Sequence, residues 1–112
     1  MKGAPIIVTK KHLENNMAQA VIVNSGNANT CNDNGIEIAE QMCALAADAL
    51  KIDVNDVLVG STGVIGQPLS IEPIKAKIPQ LVEGLSADNS ALACEAIMTT
   101  DTVKKEIAVE FT

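Results

Sequence analysis

Residues 57–66 read VLVGSTGVIG, an apolar run followed by glycines at 60, 63 and 66 and two hydroxyls, Ser61 and Thr62. Backbone N–H groups freed by glycines, with a hydroxyl among them, can hold negative charge. Two kinds of charge fit. A GxxGxxG turn between a strand and a helix can seat the pyrophosphate of a dinucleotide such as NAD. The same donors can stabilise a transient oxyanion, at about 3 kcal/mol for each donor aimed at the developing charge. A plain turn that binds nothing is the third reading, because glycine also serves positive φ and close backbone approach. A dinucleotide fold requires a second buried strand ending in an acid about 20 residues beyond the glycines. Residues 84–90 instead read GLSADNS, a turn and a helix start, and Glu83 falls at a helix end. These residues therefore weigh against an NAD-binding module using the Gly60–Gly66 loop, which stays as the alternative, and leave the oxyanion and the plain turn both open.

Other reactive groups are sparse. Cys31, Cys43 and Cys94 are odd in number, widely spaced and without a CxxC pair, which suggests buried thiols rather than a disulfide framework or a metal site. The single histidine, His12, lies in the polar stretch KKHLENN and reads as part of a solvated helix face, so no Ser-His-Asp or Cys-His device is expected. The Asn-rich segment 24–29, NSGNAN, reads as a turn whose side-chain amides hold loop backbone. Residues 98–102, MTTDT, read as a helix exit closed by side-chain hydrogen bonds.

The elements that must position these residues alternate between strand and helix. Strands are expected at 5–8, 20–23 and 57–59, the second apolar throughout as if both faces were covered. The closing segment alternates Ile107, Val109 and Phe111 with Glu106, Ala108 and Glu110, a strand with one wet face. Residues 10–17 read as a surface helix. Helix 36–50 carries Ile38, Ala39, Met42, Leu45, Ala46, Ala49 and Leu50 on one stripe, with Asn34 and Glu37 placed as a capping box. A further helix with Ser70 as N-cap, Pro73 in its first turn and Ile74, Ile78, Leu81 and Val82 on its apolar face stops at Gly84. Another opens at 86–89 and holds Ala91, Ala93, Cys94 and Ile97.

With 112 residues there is room for one modest core, here aliphatic because aromatics are 1% of the chain. Scarce aromatics and a net charge of −6 argue against nucleic acid as a partner. No apolar run approaches the roughly 20 residues a membrane span requires, and the N-terminus lacks a signal-peptide layout, so a cytoplasmic protein with no membrane partner is expected. Residues 1–112 read as one partial domain that looks cut at both ends, since strands are expected close to each.

Taken together, AVIVNSGNAN at 20–29, VLVGSTGVIG at 57–66 and AIMTTDT at 96–102 resemble, in order and separation, the bifunctional ornithine acetyltransferase family of arginine biosynthesis. The resemblance implies an α/β layered sandwich of helices on sheet. It also implies a glutamate N-acetyltransferase that moves an acetyl group from N-acetylornithine to glutamate. Family members cleave themselves into α and β chains, and the N-terminal threonine of the second attacks, activated by its own α-amine. On this resemblance Thr62 and Gly63 match the oxyanion pair, and either Thr99 or Thr100 contacts substrate, with Thr100 preferred. No metal or resident cofactor is implied, although acetyl-CoA serves some members as a co-substrate. The implied partner is the β chain of the same precursor, in an α and β hetero-oligomer. The nucleophile is expected outside residues 1–112, so this piece alone is expected to be inactive. One departure is local: where the family continues past the cysteine of the Asn-rich loop with Thr-Gly, this chain has Asn32-Asp33-Asn34.

Overall fold

Proline in a helix's first turn, followed by apolar side chains four residues apart, defines the first element. The computed structural model describes residues 3–31 and 33–98, and in it α1 spans Ala4–His12, with Pro5 in the first turn. Ala4, Val8 and His12 lie one turn apart and are all buried, while Ile6 and Ile7 are exposed. The strand expected at 5–8 is thus a helix. A four-residue apolar run fits either period, and burial of the 4-8-12 stripe decides it. The expected surface helix at 10–17 ends early, at His12, and a 3-10 turn over Leu13–Asn15 follows.

Two strands make the described sheet, β1 over Ala20–Asn27 and β2 over Val57–Val64. They are parallel and in continuous register from Ala20 opposite Val57 to Asn27 opposite Val64. Helix α2, Gly35–Leu50, makes the crossover between them, as a parallel pair requires. Both strands run several residues past the expected 20–23 and 57–59, because the turn-forming residues NSGN and GSTGV pair with each other. Tertiary pairing overrides local preference here.

Successive side chains alternate across the sheet. Ile22, Val57 and Val59 are buried with Ile38, Ala39, Met42, Cys43, Ala46 and Ala47 of α2, and with Val8 and Ile78, in one aliphatic core. Val21 and Val23 point the other way and are exposed. Among the described residues β1 is therefore covered on one face, not on both as its unbroken apolar run suggests. Burial pushes the Cys43 thiol up to about 11, with Glu40 nearby adding to the shift.

At Val57 and Val59 the outer edge of β2 is closed by side chains of α1. Thr9 Oγ1 donates to Val59 O at 2.9 Å and accepts the Val59 N–H at 3.1 Å. His12 Nδ1 lies 2.8 Å from Val57 O, and since a carbonyl only accepts, the ring proton sits on Nδ1. His12 is 4% exposed, so it is a buried edge cap and not the solvated residue its polar neighbours suggest. Lys11 Nζ reaches Glu40 Oε1 of α2 at 2.9 Å on the surface, and that bond raises the Lys11 pKa.

At the start of α2, Asn34 is the N-cap but makes no side-chain cap bond, so the capping box with Glu37 does not form. Its ψ of 22° is far from the extended backbone that aims a capping oxygen at the first turn. Helix α3, Glu72–Glu83, contributes Ile78 to the core and ends at Gly84. Its N-cap is Ile71, with Ser70 one residue earlier accepting the Glu72 N–H through Oγ at 3.4 Å. A 3-10 turn over Ala87–Asn89 leads into the short α4, Ser90–Ala96. The strand expected at 107–111 lies outside the described residues.

Two measurements check this packing. Thr9→Val keeps the shape but strips both bonds from Val59, and about 1–3 kcal/mol of stability is expected to be lost in chemical denaturation. Iodoacetamide at pH 8 is expected to label the exposed Cys31 and to leave the buried Cys43 unmodified, as peptide mass mapping would show.

Candidate functional site

The residues with chemistry collect where β1 and β2 end. Thr62 stands opposite Ser25, and Gly63 opposite Gly26. Both glycines have positive φ, +127° and +115° respectively. A Cβ on Gly63 would lie 2.3 Å from Gly26 C and 2.6 Å from both Gly26 O and Asn27 N. No L side chain fits there, so strand approach alone already demands glycine at 63. The stretch expected as a glycine loop is therefore strand as far as Val64, and the bend comes afterwards, at Gly66 with φ +81°.

Ladder parity sorts the backbone donors. Val59 N and O and Val57 O turn outward to α1, whereas Val64 O accepts the Ala28 N–H on the β1 side at 2.9 Å. In an alternating strand the Gly63 N–H then belongs to the outward set and the Thr62 N–H to the set used by β1. Thr62 is left with its hydroxyl as a donor, Gly63 with its amide. The arrangement argues against a pyrophosphate cradle as well. Helix α3 starts at Glu72, beyond Gln67, Pro68, Leu69, Ser70 and Ile71, so no helix N-terminus opens onto the glycines.

Side-chain amides tie the two strand exits together, as the Asn-rich segment suggests. Asn27 Nδ2 donates to Gln67 O at 2.9 Å and to Pro68 O at 3.3 Å, while its Oδ1 accepts the Asn29 N–H at 2.8 Å. Asn24 Nδ2 donates to Asn27 O at 2.8 Å. Asn29 is fully buried, with φ +53°, and its Nδ2 donates to Gly35 O at 2.9 Å. The Gly66 N–H reaches Thr30 O at 2.9 Å. A Cβ on Gly35 would meet Asn29 Oδ1 at 2.9 Å and Ala4 Cβ at 3.0 Å, so a side chain at this first position of α2 would force one of these neighbours to shift.

Two features escaped the sequence reading. Buried His12 has no local signal, since its neighbours are polar. Ser61 Oγ is buried with no hydrogen-bond partner. Period-two spacing from Val57 and Val59 points it to the core face, a signal that was present in the sequence. Thr99 and Thr100 lie outside the described residues. No group of three or more His, Cys, Asp or Glu able to hold a metal occurs among the described residues. No described helix is long and apolar enough to cross a membrane.

Fold and site together define an α/β protein with hydroxyl and amide donors on the last turns of a parallel strand pair. Comparison with known proteins narrows this: a family model described as the ArgJ family matches residues 1–112, and the chain belongs to that family. It is 46% identical over 112 residues to the arginine biosynthesis bifunctional protein ArgJ 1 of Clostridium acetobutylicum, covering 99% of this chain and 28% of that protein. To the glutamate N-acetyltransferase of Methanocaldococcus jannaschii it is 41% identical over 109 residues, covering 96% and 27%. The chain thus spans little more than a quarter of the length of these relatives. The crystal structure of ornithine acetyltransferase complexed with ornithine from Mycobacterium tuberculosis superposes with a TM-score of 0.86 at 33% identity, over 91% of this chain and 57% of that one. The arginine biosynthesis bifunctional protein argJ of Bacillus halodurans gives 0.81 at 37% identity, over 91% and 55%.

The two glycines of the site separate conformation from contact. Gly66 has positive φ but nothing within 4 Å of an added Cβ, so Gly66→Ala is expected to cost about 1–2 kcal/mol. Gly63→Ala adds a backbone collision to the same strain and is expected to cost about 3 kcal/mol or more. Urea denaturation of the two variants side by side measures the difference.

Proposed function

We propose that the complete protein transfers an acetyl group from N-acetylornithine to glutamate, with Thr62 and Gly63 as the oxyanion pair. The observation that carries this reading is the placement of a hydroxyl and an outward amide on consecutive residues of β2, locked by the Gly26 and Gly63 backbones. Membership of the ArgJ family and relatives named glutamate N-acetyltransferase support the substrate assignment.

In this mechanism a threonine hydroxyl outside these residues, at the N-terminus of a second chain cut from the same precursor, adds to the acetyl carbonyl. Its own α-amine takes the proton. The carbonyl oxygen becomes anionic, and the Thr62 Oγ–H and Gly63 N–H donate to it. These bonds shorten and strengthen as charge develops, so they favour the transition state over bound substrate. Collapse breaks the amide C–N bond, the amine-held proton passes to the departing ornithine nitrogen, and an acetyl-threonine ester remains. The glutamate amine then adds to the ester carbonyl through the same oxyanion, and N-acetylglutamate leaves as the hydroxyl is restored. The chemistry invokes no metal or resident cofactor; acetyl-CoA would enter as an alternative acetyl donor. Thr99 or Thr100 would line the substrate, Thr100 the preferred one. The working assembly would pair this chain with the β chain, with neither nucleic acid nor a membrane as partner, in the cytoplasm.

In the complete enzyme, Thr62→Ala is expected to lower kcat for acetyl transfer about a hundredfold with little change in KM, and Thr62→Ser to retain most of the rate. An unchanged kcat in steady-state assays of Thr62→Ala would remove this hydroxyl from the mechanism.

A further inference from the structure

The segment just after the proposed oxyanion pair is held by hydrogen bonds, with little packing. Val64 and Ile65 are exposed, 49% and 64%, so burial does little to fix the bend that follows Gly63. Gly66, with φ +81°, adds a flexible joint at the same place. Among the described residues, the bonds that cross to this bend from the exit of β1 include Ala28 N–H to Val64 O, Gly66 N–H to Thr30 O, and Asn27 Nδ2 to Gln67 O and Pro68 O. Asn27 contributes a side chain to that set. Its Oδ1 is itself fixed by the Asn29 N–H at 2.8 Å, and its own carbonyl by Asn24 Nδ2 at 2.8 Å. Fully buried Asn29 in turn ties to Gly35 at the start of α2, so the clamp is anchored in the core rather than in another loop.

Asn27 also sits next to the contact that places Gly63, because the Asn27 N would lie 2.6 Å from a Cβ on Gly63. One residue thus touches Gly63 through its backbone and the bend beyond Gly63 through its side chain. From this juxtaposition we infer that Asn27 is a positioning residue for acetyl transfer, acting through the bend 65–68 to hold the Gly63 amide and the Thr62 hydroxyl on the reacting oxygen. The inference rests on the oxyanion reading of Thr62 and Gly63. Its chemistry is specific: an amide can accept from Asn29 N–H and donate to two carbonyls at once, which neither a carboxylate nor an aliphatic side chain can do. Donors displaced by a fraction of an ångström lose transition-state stabilisation while substrate binding is largely kept.

The test uses the complete enzyme and steady-state acetyl transfer from N-acetylornithine to glutamate. Asn27→Ala is expected to lower kcat about tenfold at nearly constant KM, with the thermal transition still cooperative. Combined with Thr62→Ala, it is expected to add no more than about threefold to the loss from Thr62→Ala alone, because part of the Asn27→Ala loss is the contribution of the Thr62 hydroxyl, which is then already absent. Asn27→Asp supplies a second route should Asn27→Ala fail to fold. Its ionised carboxyl keeps the acceptor for Asn29 and turns charge on the carbonyls of Gln67 and Pro68, whereas the protonated form can donate again. Its kcat deficit is therefore expected to shrink as pH falls through that carboxyl's titration. An unchanged kcat, a loss confined to KM, a fully multiplicative double variant, or a deficit in Asn27→Asp of equal size at every pH would overturn the inference while leaving Thr62 in place. If Thr62→Ala itself proves harmless, the oxyanion reading fails and this inference fails with it.

Discussion

The approach of Gly26 to Gly63 is the constraint on which the site depends. Two parallel backbones meet there at a distance that leaves no room for a methyl group on Gly63, and both residues adopt φ values that disfavour any other amino acid. Register follows from this contact as much as from the apolar pattern. Sliding β2 by one residue would set Thr62 or Val64 against Gly26, and it would turn Val57 and Val59 away from the aliphatic core. The glycines thus carry the pairing beyond the core, out to where the polar residues NSGN and GSTGV would otherwise turn.

Around that pair, polar side chains do the work that further backbone would do in a larger sheet. Among the described residues, the outer edge of β2 meets Thr9 and His12 of α1 at Val57 and Val59, where a hydroxyl and an imidazole satisfy the Val59 N–H and C=O and the Val57 C=O. The strand exits are fastened by Asn24, Asn27 and Asn29. Amides suit this role because each donates and accepts at once, so one residue can satisfy groups on two different segments. Such a scaffold places a hydroxyl and an amide with little freedom while leaving the groups near them polar. On the proposed reading, that arrangement would supply the pre-organisation that stabilising a transient charge requires.

The helix α2 sets the other side of the balance. Its stripe of Ile38, Ala39, Met42, Cys43, Ala46 and Ala47 packs small and flexible side chains against Ile22, Val57 and Val59, with no aromatic ring in the cluster among the described residues. Alanine lets the helix sit close to the strands, and methionine fills the irregular space that remains. The sheet's opposite face, carrying Val21 and Val23, stays exposed among the described residues.

Long periodic elements were legible in the sequence, as was the holding of loop backbone by the side-chain amides of 24–29, although residues 24–27 are strand and not turn. The stripe of α2 repeats often enough to specify a helix, and Gly84 ends α3 as read. Short or locally ambiguous signals were not. PIIV fits a strand or a helix equally, and only burial of Ala4, Val8 and His12 against the rest of the chain selects the helix. Asn34 and Glu37 have the spacing of a capping box, but the backbone at Asn34, with ψ of 22°, aims no capping oxygen at the first turn. Sequence by itself determined which residues could act and that an α/β core would carry them, because side-chain chemistry and hydrophobic period are local properties. Tertiary structure decided that Gly60–Val64 is strand, that His12 is buried, and that Gly63 faces Gly26, because each depends on the distance between segments far apart in the chain.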